Sequence, residues 1–155
     1  MTPHTTTSPT SPTTHQTNQC QEMMTTLTAP NLETLATTHN ITITTHTGGN
    51  KGRWYSDTHT ISLRNNLHPI AYRCTLAHEL GHAFCGHDSK AEGWFKERQE
   101  READTWAANL LIGRDEYMDA ELIHGSCPGA IALELGVTVH LVNIWATHHK
   151  ERQPQ

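Results

Sequence analysis

Residues 78–82 read His78-Glu79-Leu80-Gly81-His82, two histidines four apart with a glutamate beside the first. On a helix, positions four apart lie roughly 40° apart around the axis and about 6 Å apart along it. Two imidazoles placed so can grip one cation. The glutamate stands on the flank of the same face, where it can reach a zinc-bound water without ligating the zinc. A hydrolytic zinc site needs that division between nitrogen ligands and a free carboxylate base. The bland alternative is a core histidine pair, in a chain that carries 13 histidines. Two histidines on one face beside a glutamate are hard to satisfy in a core without a cation. The motif also sits among apolar residues and not in a polar tail, which favours the metal.

A catalytic zinc takes three protein ligands and leaves one position open. The stretch "ERQEREADTW", residues 97–106, offers carboxylates. Glu100 and Asp104 share a helix face, and Glu102 points nearly the other way. Glu100 is then the third ligand, and Asp104 accepts a hydrogen bond from a ligand imidazole and fixes its ring. The bland alternative is a solvated acidic face with pairs such as Glu97 to Arg101. A rotated helix phase would make Glu102 the ligand instead. Tyr72, His87, Tyr117 and His124 are candidate oxyanion donors, each more often structural than catalytic. Cys85 reads as a buried helix thiol. His148 and His149 read as an exposed pair able to take up stray metal.

Long elements must position these groups. Pro69 opens a helix to about Cys85, with Ile70, Cys74, Ala77, Gly81 and Phe84 at helical spacing. "HDSKAEG" is a loop. "WFKERQEREADTWAANLLI" is a second long helix, apolar along Ala103, Ala107, Leu110 and Leu111 and ended by Gly113. A third helix covers Asp115 to Ile123, and "HGSCPG" breaks the chain. Two short helices separated at Gly136 finish it. Upstream, Asn31 caps a short helix, "ITITTH" is a strand and "TGGNKGR" is turn chemistry. "WYSDTHTISLRN" supplies one or two more strands. The expected fold is α+β: a mainly helical domain over residues 29–150 with a small antiparallel sheet. Residues 1–28, rich in Thr, Ser and Pro, have almost nothing to bury and read as a disordered tail.

The net charge of -5 argues against a broad nucleic-acid footprint. No apolar run is long enough for a membrane span, and the N-terminus lacks a secretory pattern. Cys20, Cys74, Cys85 and Cys127 show no C-x-x-C spacing, so reduced thiols in a cytoplasm are expected.

"RCTLAHELGHAFCGH" followed by "EREADTWAANLL" resembles the ImmA/IrrE family of zinc metallopeptidases, over about residues 31–149. The resemblance implies a zincin-like domain that binds one zinc ion per chain. Carried over, His78, His82 and Glu100 are ligands, Glu79 is the catalytic base and Asp104 is the carboxylate behind a ligand. It also implies a regulatory endopeptidase that cuts or antagonises a partner helix-turn-helix repressor of a mobile element or stress regulon. Where the family often continues L-L-M-P, this chain reads Leu110-Leu111-Ile112-Gly113, which places the floor of the cleft in question.

The C-terminal stretch, about residues 128–149, also fits a helix-turn-helix, with Ala132 at the crossing and Val142 and Trp145 packed inside. A DNA-binding regulator with a structural zinc is therefore the rival function, and a non-catalytic anti-repressor the third. From Ala130 to His149 there is no Lys or Arg, so phosphate contacts would be few. A packing or partner-docking element is preferred.

Overall fold

A computed structural model describes residues 31–150; the expected tail lies outside them. Asn31 caps the first helix, α1 (Leu32–Thr38), its side chain accepting the Thr34 N–H at 2.9 Å. Leu32 and Ala36 face inward from it.

Three strands follow: β1 (Thr42–His46), β2 (Gly52–Tyr55) and β3 (Thr60–Arg64). The sheet is mixed, where the strand pattern predicts an antiparallel one. Its order is β1-β3-β2, with β1 parallel and β2 antiparallel to β3. The turn through Gly48 and Gly49, both at positive φ, does not fold β2 back on β1. A 3₁₀ turn (Ser56–Thr58) and a left-handed His59 then return the chain between the two. The central strand is buried at Ile61, Ser62 and Leu63. β2 begins inside the stretch read as turn, because the Arg64 N–H donates to Lys51 O at 2.7 Å and the ladder starts there.

The helix α2 (Pro69–Phe84) opens on proline, whose missing N–H costs nothing in a first turn. It ends in a Schellman cap. Gly86 takes φ 67°, its N–H donates to Ala83 O at 3.2 Å, and the His87 N–H donates to His82 O at 2.9 Å. The cap therefore folds His87 back over His82.

The helix α3 (Gly93–Leu111) crosses α2 at Gly81. A Cβ at Gly81 would lie 2.9 Å from Ala103 O and 3.0 Å from Ala103 Cα, so the two backbones touch there. Leu76, Ala77, Leu80 and Ala107 fill the surrounding core with no exposed surface. Phe84, expected inside, is 38% exposed and stacks on Trp106 instead.

Three helices complete the fold: α4 (Arg114–His124), α5 (Pro128–Leu135) and α6 (Val139–Lys150). The last two bend by 106° about Gly136, which sits in the left-handed region. Val142 and Trp145 are buried, with Trp145 stacked on Tyr117 at 4.3 Å. Among the described residues no single helix is long and apolar enough to cross a membrane.

Candidate metal centre

Helix periodicity in α2 puts His78 and His82 on one face, and the Gly81–Ala103 contact brings α3 up against it. Ligand atoms of His78, His82 and Glu100 then lie within 4.8 Å of one another. Both imidazoles present Nε2 to the shared point, 3.1 Å apart. Glu100 reaches them with Oε2 at 3.2 Å from His78 and Oε1 at 3.7 Å from His82. Two Nε2 lone pairs and a carboxylate converging on one point match the donor set of a divalent borderline cation, and of zinc in particular. Three ligands also leave a coordination position open. The residues fit the ion.

Each imidazole is held from behind. His78 Nδ1 lies 2.8 Å from Asp104 Oδ1. His82 Nδ1 lies 2.9 Å from His87 Nδ1, and His87 Nε2 lies 3.0 Å from Glu102 Oε2. Asp104 has a second partner, His140 on α6, with Nε2 at 2.7 Å from Oδ2. Glu102 stands outside the ligand cluster, but it is two hydrogen bonds from His82 and does not merely face solvent.

Electrostatics follow from this packing. Burial pulls the His78 pKa down, but hydrogen bonds to Asp104 and Glu100 outweigh it and push it up to about 10. The same bonds, with His82, hold Glu100 far below the usual carboxylate range. Burial raises Asp104, yet its bonds to His78 and His140 leave it lowered. Glu79 goes the other way. It is 6% exposed, and burial raises its pKa despite the nearby histidines and a backbone hydrogen bond from Trp54. It is thus a desolvated carboxylate beside the cluster and not part of it.

A cleft of about 1010 Å³ opens over these groups. β2 forms one wall, α3 another, and Thr138, His140 and Leu141 from the start of α6 close one end. Gly52 on β2 is a fitted notch: a Cβ there would sit 2.6 Å from both Glu79 Oε1 and Thr75 Cγ2.

Of the expected oxyanion donors, Tyr72, Tyr117 and His124 do not line the cleft. Tyr117 is buried against Trp145, and His124 pairs with Glu134 at 3.3 Å. His87 does line it, though it is buried between His82 and Glu102. Tyr55 and His140, which the sequence does not single out, line the cleft as well. Cys85 is exposed, not buried, because it is the C-cap of α2. Cys74, Cys85 and Cys127 are free thiols. His148 and His149 do not act as a pair: His149 stacks on Trp145 at 3.8 Å, while His148 meets Thr105.

Residues 36–144 match the model of peptidase family M78, described as the IrrE N-terminal-like domain. The chain belongs to this family. No curated protein matches it. In this IrrE-like domain the departure at Leu110-Leu111-Ile112-Gly113 does not reach the cleft floor. Leu111 and Ile112 are buried in the core, and the Gly113 N–H caps the start of α4 by donating to Glu116 at 3.3 Å. None of the four residues lines the cleft.

Proposed function

We propose that this IrrE-like domain is a zinc-dependent metalloendopeptidase, held by His78, His82 and Glu100, with Glu79 as general base. The carrying observation is Glu79 itself: a buried carboxylate against the His–His–Glu cluster, with its own notch at Gly52. Zinc would supply Lewis acidity, polarising the scissile carbonyl and easing deprotonation of water. Glu79 takes the proton of the attacking water and hands it to the leaving amine. Its raised pKa suits that return step, since burial favours the protonated form. Asp104 fixes the His78 ring.

The substrate backbone has a place to bind. β2 is an edge strand, and its ladder bond at Lys51–Arg64 sets the alternation. Lys51, Arg53 and Tyr55 then bond inward to β3, leaving the Gly52 peptide groups and the Trp54 carbonyl on the open edge beside the cleft, while the Trp54 N–H is taken by Glu79. An extended segment can add to that edge as a strand. Cleavage of one partner, a helix-turn-helix repressor of a mobile element or stress regulon, fits a domain of this size in a cytoplasm.

The bend between α5 and α6 supports the rival DNA reader in outline. A reader would present the start of its second helix to the major groove. Here that turn carries Thr138, His140 and Leu141 into the cleft wall, and Leu141 is 2% exposed. The peptidase reading is therefore preferred.

Co-expression with a candidate helix-turn-helix repressor tests the proposal. The wild-type chain should cut that repressor, while Glu79→Gln should keep zinc and fold and lose cleavage. Equal cleavage by both chains sinks the role of Glu79. A repressor released intact by both makes the protein a non-catalytic anti-repressor.

A further inference from the structure

We infer that His87 and Glu102 are positioning residues that lock the tautomer and tilt of His82, through a relay running Glu102–His87–His82. The inference rests on the metal reading above. It follows from counting protons. His82 and His87 face each other through their Nδ1 atoms, 2.9 Å apart, so only one proton fits between them. His82 turns Nε2 toward His78 and Glu100, and that nitrogen must be bare to ligate a metal. The single ring proton of His82 is then on Nδ1, and it donates to His87 Nδ1. His87 must carry its own proton on Nε2. That atom lies 3.0 Å from Glu102 Oε2, which accepts it. Arg98 completes the line, its Nε donating to Glu102 Oε1 at 2.8 Å.

The direction of the relay is forced at every step. A carboxylate can only accept, so Glu102 draws the His87 proton to Nε2, which bares Nδ1 and draws the His82 proton outward. His87 is 5% exposed, so no bulk water replaces it as acceptor. Its backbone is fixed by the Schellman bond to His82 O. The two ligand histidines are thus held by different means: His78 directly by a carboxylate, and His82 by a carboxylate acting through a second imidazole.

The experiment uses the full chain loaded with zinc. Long-range ¹H–¹⁵N spectra report the tautomer of each ring. The relay requires His82 protonated at Nδ1 and His87 at Nε2. Chelator competition then gives zinc affinity for His87→Phe, His87→Gln and Glu102→Ala. His87→Phe keeps a ring but no acceptor and should weaken zinc roughly 10–100-fold, as loss of an outer partner does. His87→Gln restores an acceptor oxygen and should recover part of that loss. Glu102→Ala should fall between His87→Phe and wild type, with His87 no longer held as one tautomer. The relay is overturned if wild-type His87 carries its proton on Nδ1, a readout that needs no variant to fold. It is also overturned if folded His87→Phe binds zinc as tightly as wild type. A wild-type chain that binds no zinc overturns the metal reading and the relay together, whereas zinc binding with the wrong tautomer overturns the relay alone.

Discussion

His140 on α6 holds Asp104 on α3, Nε2 to Oδ2 at 2.7 Å, although 36 residues separate them in the chain. Asp104 is left with one oxygen for each histidine, His78 and His140. The two partners differ in exposure: the His140 side chain is 62% exposed and water can replace it. Asp104→Ala should cost roughly 10–100-fold in zinc affinity or activity. His140→Ala should cost less than about tenfold in affinity. Chelator competition on both variants checks the order. An equal loss would mean that His140 fixes Asp104 as firmly as Asp104 fixes His78.

Zinc uptake should be coupled to proton release. In the metal-free protein His78 has its pKa raised to about 10, so it is protonated at neutral pH. Ligation requires the neutral ring. Below that pKa each unit rise in pH removes the competing proton tenfold more often, so affinity should rise about tenfold per unit from pH 6 to 9. Calorimetry in buffers of different ionisation enthalpy should show about one proton released per zinc. A flat affinity across that range would contradict the ion pairing of His78 in the metal-free state.

Gly52→Ala should separate chemistry from metal binding. The added methyl would meet Glu79 Oε1 and Thr75 Cγ2 at 2.6 Å, forcing the carboxylate or the strand to move. No ligand touches that notch. Turnover should fall by at least about tenfold, the scale of a misplaced general base. Native mass spectrometry should still find one zinc. Loss of zinc with loss of turnover would show that β2 braces the ligands as well.

Gly86→Ala tests the cap. At φ 67° an alanine pays about 1 kcal/mol, and nothing within 4 Å of the new methyl adds a clash. The cost should appear as lower stability in chemical denaturation. Because the same cap seats His87, zinc affinity should fall too. A stability loss of that size with unchanged zinc affinity would show that His87 is seated by its side-chain contacts alone.

The grouping of His78, His82, Glu100 and Asp104 is legible because it obeys one helical period. His78 and His82 on α2, and Glu100 and Asp104 on α3, are i,i+4 pairs, and a residue count alone puts each pair on a face. His87 breaks that period. It follows His82 by five, and it faces back only because Gly86 closes a left-handed cap, so Gly86-His87 was the available signal. His140 was beyond local pattern, since its contact with Asp104 depends on α6 packing across α3. The sheet differs from its pattern for a related reason. Alternation identifies strands but not neighbours, and the Gly48-Gly49 turn suits a hairpin that the chain does not form. Gly52 belonged by type to a turn; only the position of Glu79 explains it in a strand.

The contact of Gly81 with the Ala103 main chain sets how far apart the two ligand-bearing helices stand. Main-chain atoms do not change when side chains are exchanged. The closest approach of the histidines to Glu100 is therefore limited by a contact that contains no side chain. Exchanges at Leu76 or Leu80 act on that spacing only by shifting whole helices, whereas a single methyl at Gly81 would meet the Ala103 main chain directly. Lys51 and Tyr55 on the cleft wall are exposed and lie outside the His78–His82–Glu100 cluster, so they can change without touching that spacing. What a partner would meet and what spaces the cluster thus fall to different residues of the same small domain.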